Sequence, residues 1–176
     1  MRLMLIIPLI LVAGCGETAP EETKASRLAS VEPGQYELSS EVTRLTNVDD
    51  GEAAINTPVG TRETQSVCIG ASGQAPTEAF SGEGYSCTYN NYYVRNGRIN
   101  ALLSCTRDGL QGEISMTVDG TFESGQLSYT RNVRTILASS GDVQIDHRVT
   151  GRRTGDCAPD SAADGNASQD KDAGGE

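Results

Sequence analysis

The chain predicts an all-β domain: an antiparallel meander of about seven strands, curled into an open barrel or a sandwich and stapled by disulfides. Three observations predict it. Helical periodicity is nearly absent between residues 31 and 157. Apolar and polar residues alternate there at period two, the spacing of a strand with one buried face. Glycine-rich turn punctuation, Asn96-Gly97 and Ser124-Gly125 among it, recurs at short intervals.

Taken in order, residues 34–46 place Tyr36, Leu38 and Val42 on one face. Residues 62–69 make a weaker strand that runs through Cys68, and residues 49–59 and 70–82 read as loops. Residues 85–106 are the clearest element. Asn96-Gly97 signals a hairpin, because both residues tolerate the positive φ that tight turns demand. Cys87, Tyr89 and Tyr93 share a face of the outgoing strand, and Ile99, Ala101, Leu103 and Cys105 share one on the return. Ile114, Met116, Val118 and Phe122 alternate along residues 112–122. Leu127, Tyr129 and Val133 align along 126–137, and Val143, Ile145, His147 and Val149 along 143–152. Short turns join these strands, so sequence neighbours are expected to pair.

The hairpin also orders the cysteines. Cys87 and Cys105 stand nine residues either side of Asn96. A three-residue loop centred on Asn96 sets them opposite each other and within disulfide reach, whereas a two-residue turn shifts the register by one. Pairing Cys87 with Cys105 leaves Cys68 for Cys157, tying an early strand to the end of the domain. No two cysteines have the C-x₂₋₄-C spacing of a zinc site, and no metal or cofactor is expected.

The fifth cysteine closes the start of the chain. Residues 1–14 carry one charge, Arg2, then an apolar core and small residues before Cys15. That is the layout of a secretory signal, too short for a membrane span of about 20 apolar residues. Its end, Val12-Ala13-Gly14-Cys15, resembles the lipobox of bacterial lipoproteins. The resemblance implies cleavage before Cys15, lipid on its sulfur and amino group, and an oxidising envelope compartment where the other four cysteines form disulfides. With Gly16 rather than aspartate next, it implies the outer membrane, facing the periplasm. Residues 15–30 then read as a lipidated cysteine and flexible tether, residues 31–157 as one β domain, and residues 158–176 as a disordered acidic tail. The formal charge of −10 argues against nucleic acid as a partner and against adhesion to anionic lipid by charge alone. The expected partners are the membrane, through the lipid anchor, and an unidentified envelope ligand or protein.

Between these termini the order of motifs is distinctive. Pro33-Gly34-Gln35-Tyr36-Glu37-Leu38 opens the domain, Thr64-Gln65-Ser66-Val67-Cys68-Ile69 follows, Leu102-Leu103-Ser104-Cys105 comes after the polar hairpin, and residues 151–157 close it. This set resembles the bacterial domain-of-unknown-function family 3617 over roughly residues 31–157. The resemblance implies a small secreted or lipid-anchored envelope protein with spaced cysteines. It implies no activity and no site residues.

Few residues offer chemistry. His147 is the only histidine, and Asp146 beside it must face the other side of a strand, so the two form no orienting pair. No nucleophile elbow or phosphate-cradling loop is present, and Asp49-Asp50-Gly51-Glu52 lacks the full spacing of a calcium loop. An enzyme is therefore not expected. The candidate ligand-binding residues are Tyr89 and Tyr93, which offer stacking faces, and Arg131 and Arg148, which offer a grip on an anion. Packed strand tyrosines with wet hydroxyls, and arginines paired with neighbouring acids, account for the same residues. The expectation is a non-enzymatic, membrane-tethered periplasmic lipoprotein acting as a binding or interaction module. The alternative is a protein inhibitor of an envelope-directed hydrolase, presenting the loop at 70–82.

Overall fold

A computed structural model of the chain describes residues 30–158. The signal segment, Cys15, the tether to residue 29 and the tail beyond residue 158 lie outside the described residues. The strands are β1 (Gly34–Asn47), β2 (Arg62–Ile69), β3 (Tyr85–Arg95), β4 (Arg98–Arg107), β5 (Gly112–Glu123), β6 (Gln126–Leu137) and β7 (Val143–Gly155). One four-residue helix, α1 (Glu78–Ser81), interrupts them.

All seven strands form one curled sheet in the order β2-β1-β7-β6-β5-β4-β3, and every adjacent pair is antiparallel. The fold is thus the open, half-barrel form rather than a sandwich. Strands β3 to β7 make the expected meander, and the β1–β2 hairpin joins it through β1 against β7. The meander breaks at one step. Alternating directions along this order leaves the two edge strands, β2 and β3, running the same way. A tight hairpin joins only antiparallel neighbours, so the connector, residues 70–84, must travel back along the sheet. It does so through the concave face, which is why Ala75, Ala79, Phe80, Ser81 and Gly82 are buried. Residues 70–82 are therefore a plug containing a single helical turn, too short to leave a helical period in the sequence.

The core packs aliphatic side chains into the concavity around the plug, among them Ile99, Leu103, Ile114, Met116, Val118 and Val133. Phe80 supplies the aromatic centre. It meets Tyr129 edge-to-face at a centroid separation of 5.3 Å and Tyr89 at 6.3 Å, while Tyr89 and Tyr92 lie 4.9 Å apart. Such pairs add a modest gain beyond area burial, about 0.5–1.5 kcal/mol each.

Both disulfides form as assigned, Cys87–Cys105 and Cys68–Cys157, with Cα separations of 4.1 Å and 5.5 Å. The route to the first differs from expectation. The turn has two residues: Arg95 pairs with Arg98, and Asn96 and Gly97 take φ of 54° and 74°. That register alone misaligns the cysteines. A bulge at Asn90 restores it, so that Cys87 faces Cys105. A bulge inserts one unpaired residue and reverses the facing of everything beyond it. Tyr92 and Val94 therefore turn inward, and Tyr93, expected on the face of Cys87 and Tyr89, points outward with 41% of its surface exposed.

Candidate functional site

Three strands that become neighbours only in the folded sheet carry the same irregularity. On β1, Ser40 interrupts the inner stripe of Tyr36, Leu38 and Val42. On β6, Arg131 interrupts Leu127, Tyr129 and Val133. On β7, His147 interrupts Ile145 and Val149. In the β6–β7 register Arg131 stands opposite His147, and in the β1–β7 register Ser40 stands opposite Val149, two residues along from His147. The three interruptions thus merge into one polar patch inside the sheet.

Arg131 is its centre. It is only 5% exposed. Its Nη1 donates to the Phe80 carbonyl at 3.3 Å, and its Nη2 reaches Ser40 Oγ at 3.4 Å and His147 Nδ1 at 3.1 Å. Its Nε–H is buried and has no hydrogen-bond partner among the described residues, and no carboxylate there pairs with it. Burial pulls the guanidinium below its usual pKa, while nearby Tyr129, Tyr85 and Glu63 pull it back up. A guanidinium starts so high that it keeps its charge. Because Arg131 donates to Nδ1, the His147 ring carries its proton on Nε2 and is neutral. Burial, then the Arg131 charge, lowers its pKa to about 4, against a smaller opposing pull from Asp146. Ser40 Oγ also lies 3.2 Å from Nδ1. Asp146 faces out, as expected, where it binds Arg44 at 2.6 Å and accepts from Asn132.

The plug roofs this patch. A short helix leaves its last carbonyls without intrahelical partners, and sheet side chains take them. Tyr129 donates to Ala79 O and Arg131 to Phe80 O, while Glu78 O accepts from the Gly82 N–H and from Gln65. Ahead of the helix, Tyr89 donates to Ala75 O while Tyr92 accepts from the Ala75 N–H. The tyrosine hydroxyls expected to be wet are instead the hydrogen-bond partners that let an irregular backbone be buried. Gly82 ends the plug at φ 80°, and a Cβ there would stand 2.7 Å from Arg131 Nη1. Only glycine lets the backbone turn so close to the guanidinium.

Beside the plug remains a cavity of about 300 Å³. Leu38, Ala79, Tyr129 and Val149 form its apolar wall, Arg131 and Ser40 its polar floor, and Glu63 and Glu83 its exposed acidic border. Of the four candidate ligand residues, the structure puts only Arg131 there. Tyr89 holds the plug, Tyr93 lies outside under the Arg95 guanidinium at 4.7 Å, and Arg148 sits on the convex face. Ser40, Gly82, Glu63 and Glu83 were not among the candidates. The signal for Ser40 and Arg131 was present as polar residues at period-two apolar positions. Joining them required knowing that β1 lies beside β7. No group of three or more metal-ligating side chains occurs among the described residues, and Asp49 instead accepts N–H bonds from Gly51, Gly141 and Asp142, clasping its loop to the β6–β7 turn.

No curated protein and no solved structure matches the chain. The model of one family, described as protein of unknown function DUF3617, matches residues 31–157. With its proline-glycine-tyrosine opening, its paired cysteines and its complete half-barrel inside that match, the chain belongs to the DUF3617 family.

Proposed function

We propose that this chain is a non-enzymatic binding module of the bacterial envelope, tethered to the outer membrane through acylated Cys15, whose cavity takes a small ligand bearing an anionic group. The observation that supports the binding reading is Arg131. Removing a guanidinium from water without a carboxylate partner costs several kcal/mol. Core positions that break the apolar rule at such a cost tend to serve a site rather than the fold. A carboxylate or phosphate on the floor would supply the counter-charge that the buried guanidinium lacks. The apolar wall suits the remainder of a small molecule.

The non-enzymatic reading draws on the same group. Ser40 and His147 are close enough to resemble a nucleophile and its base, yet Arg131 occupies the same ring nitrogen, and burial first and the Arg131 charge second depress the ring's basicity. No carboxylate among the described residues orients the ring, because Asp146 is turned away. The loop that the inhibitor alternative would present is folded inward in part: Ala75, Ala79, Phe80 and Ser81 are buried, while Ser72, Gln74 and Glu78 stay exposed.

Two measurements test the proposal. Calorimetric titration of the full chain with butanoate should show saturable binding that is lost in Arg131→Met; no heat at tens of millimolar from butanoate or from its amino-substituted analogue 4-aminobutanoate would reject the anion site. Fractionation of cells carrying Cys15→Ser should find the protein released from membranes; continued membrane association would reject the lipid tether.

A further inference from the structure

We infer that the ligand is a small zwitterion, with its carboxylate on Arg131 and its cationic end between Glu63 and Glu83. The inference rests on the anion-binding reading of the cavity and adds the second charge. Its first ground is the sign of the charges around the cavity. The floor carries one buried cation, neutral His147 adds none, and the two ionisable groups at the border are both acids. Glu63 comes from β2 and Glu83 from the end of the plug, so two separate elements each bring an acid to the opening. Both are exposed and neither forms an ion pair with the floor.

The second ground is the field outside. A chain of formal charge −10 repels a bare anion on approach, and two carboxylates at the entrance deepen that barrier. A ligand that carries its own cation crosses it without loss. It keeps the buried Arg131 contact and gains two solvent-screened attractions at the border. A lone cation would meet the acids but press its charge towards Arg131. A phosphate diester or dianion would satisfy the floor and meet repulsion at the border. The chemistry that answers every charge is therefore an amino acid, an ω-amino acid or the end of a short peptide. A cavity of about 300 Å³ has room for one such molecule.

The test is calorimetric titration of the full chain in non-ionic detergent, whose micelles bring no competing charge. Two series of equal chain length serve as probes: linear carboxylates from acetate to hexanoate, and the matching ω-amino acids from glycine to 6-aminohexanoate, with 1-butylammonium as the lone cation. The expected result is that the best ω-amino acid binds about fivefold or more tightly than its matching carboxylate, a gain in keeping with two exposed charge pairs. The double variant E63Q/E83Q should erase that preference to within twofold. Both residues are exposed, so this arm stands even if Arg131→Met misfolds. If carboxylates bind as well as or better than ω-amino acids, or if E63Q/E83Q leaves the preference intact, the zwitterion is overturned while the anion site survives. If neither series binds, both readings fall. Binding by butylammonium at the strength of the ω-amino acids would overturn the assignment of Arg131 as the floor contact.

Discussion

Strands β4 and β5 present Ile99, Ala101, Leu103, Cys105, Ile114, Met116 and Val118 to the interior, all buried. Strands β1, β6 and β7 follow the same alternation and set Ser40, Arg131 and His147 among their apolar positions. The two halves of one sheet thus solve different problems. The first gains stability from every inward side chain, at about 25 cal/mol per Å² of apolar surface removed from water. The second gives some of that up to hold a charge beside a cavity. The plug belongs to both, since Phe80 packs on the tyrosines of β3 and β6 while its carbonyl receives Arg131.

The staples offer the largest contrast. Cys68–Cys157 joins residues 89 apart and secures the β2 edge to the end of β7, whereas Cys87–Cys105 joins residues 18 apart within one hairpin. On chain-entropy grounds, replacing the first pair by serine should cost about 4–5 kcal/mol and the second about 3 kcal/mol. Urea unfolding of the two double variants measures this, and equal losses would mean that loop length does not govern the difference.

Side chains of the two halves should then behave differently. Leu103→Ala leaves a hole in the filled half and should lower unfolding free energy by about 2–5 kcal/mol. Arg131→Met fills similar space without a charge to desolvate. Relief of that desolvation is offset by the Phe80 carbonyl losing its donor, so stability should change by no more than about 1–2 kcal/mol in either direction, while butanoate binding is abolished. A loss as large as that of Leu103→Ala would mark Arg131 as a structural fixture of the plug and break the contrast.

Acid sharpens the contrast more gently. His147 has a folded pKa of about 4 against 6.5 when free. Above pH 6.5 it is neutral in both states and contributes nothing to the pH dependence. Between 6.5 and about 4 the unfolded chain takes up the proton and the folded chain resists it, so stability falls as pH falls. The slope is at most about 1.4 kcal/mol per pH unit, reduced by partial solvent access. His147→Gln should flatten this window in urea titrations run from pH 7 to 4, and an unchanged slope would show that the ring is not shielded. Asp49 enters lower. Backbone N–H bonds, from Asp142 first, then Gly51 and Gly141, hold its carboxyl below the usual value of 3.8. Its contribution is complete above that value and disappears as pH drops through the folded pKa. Asp49→Asn should remove the acid-dependent component and weaken the clasp between its loop and the β6–β7 turn, readable as faster amide exchange at Gly141.

Most of the strand plan was legible before folding, because period-two burial is a local property. Tyr36, Leu38 and Val42, or Ile114, Met116 and Val118, report their shared face without reference to any other strand. The hairpin disulfide was legible for a reason only partly right. The spacing about Asn96 was correct, but the register came from a two-residue turn corrected by a bulge at Asn90, and nothing local distinguishes Asn90 from Asn91 as a bulge site. Tyr93 was misplaced by that same missing residue. The site was legible only in fragments: Arg131 was a candidate for its charge and not for its place in an apolar stripe, Ser40 lies 91 positions from it, and Gly82 belongs to a different element altogether.

By itself, then, the order of residues determined the all-β class, the strand bounds to within a few residues and the two pairs of cysteines. These follow from alternation, turn chemistry and spacing along one chain, and each is decided among near neighbours. The tertiary structure alone decided that β1 lies beside β7, that the two edge strands run in the same direction and that their connector crosses the concave face. The physical reason is parity. Seven strands in this antiparallel order leave β2 and β3 pointing alike, so the chain has to return along the sheet; it does so across the concave face, beside a cavity that a buried guanidinium lines.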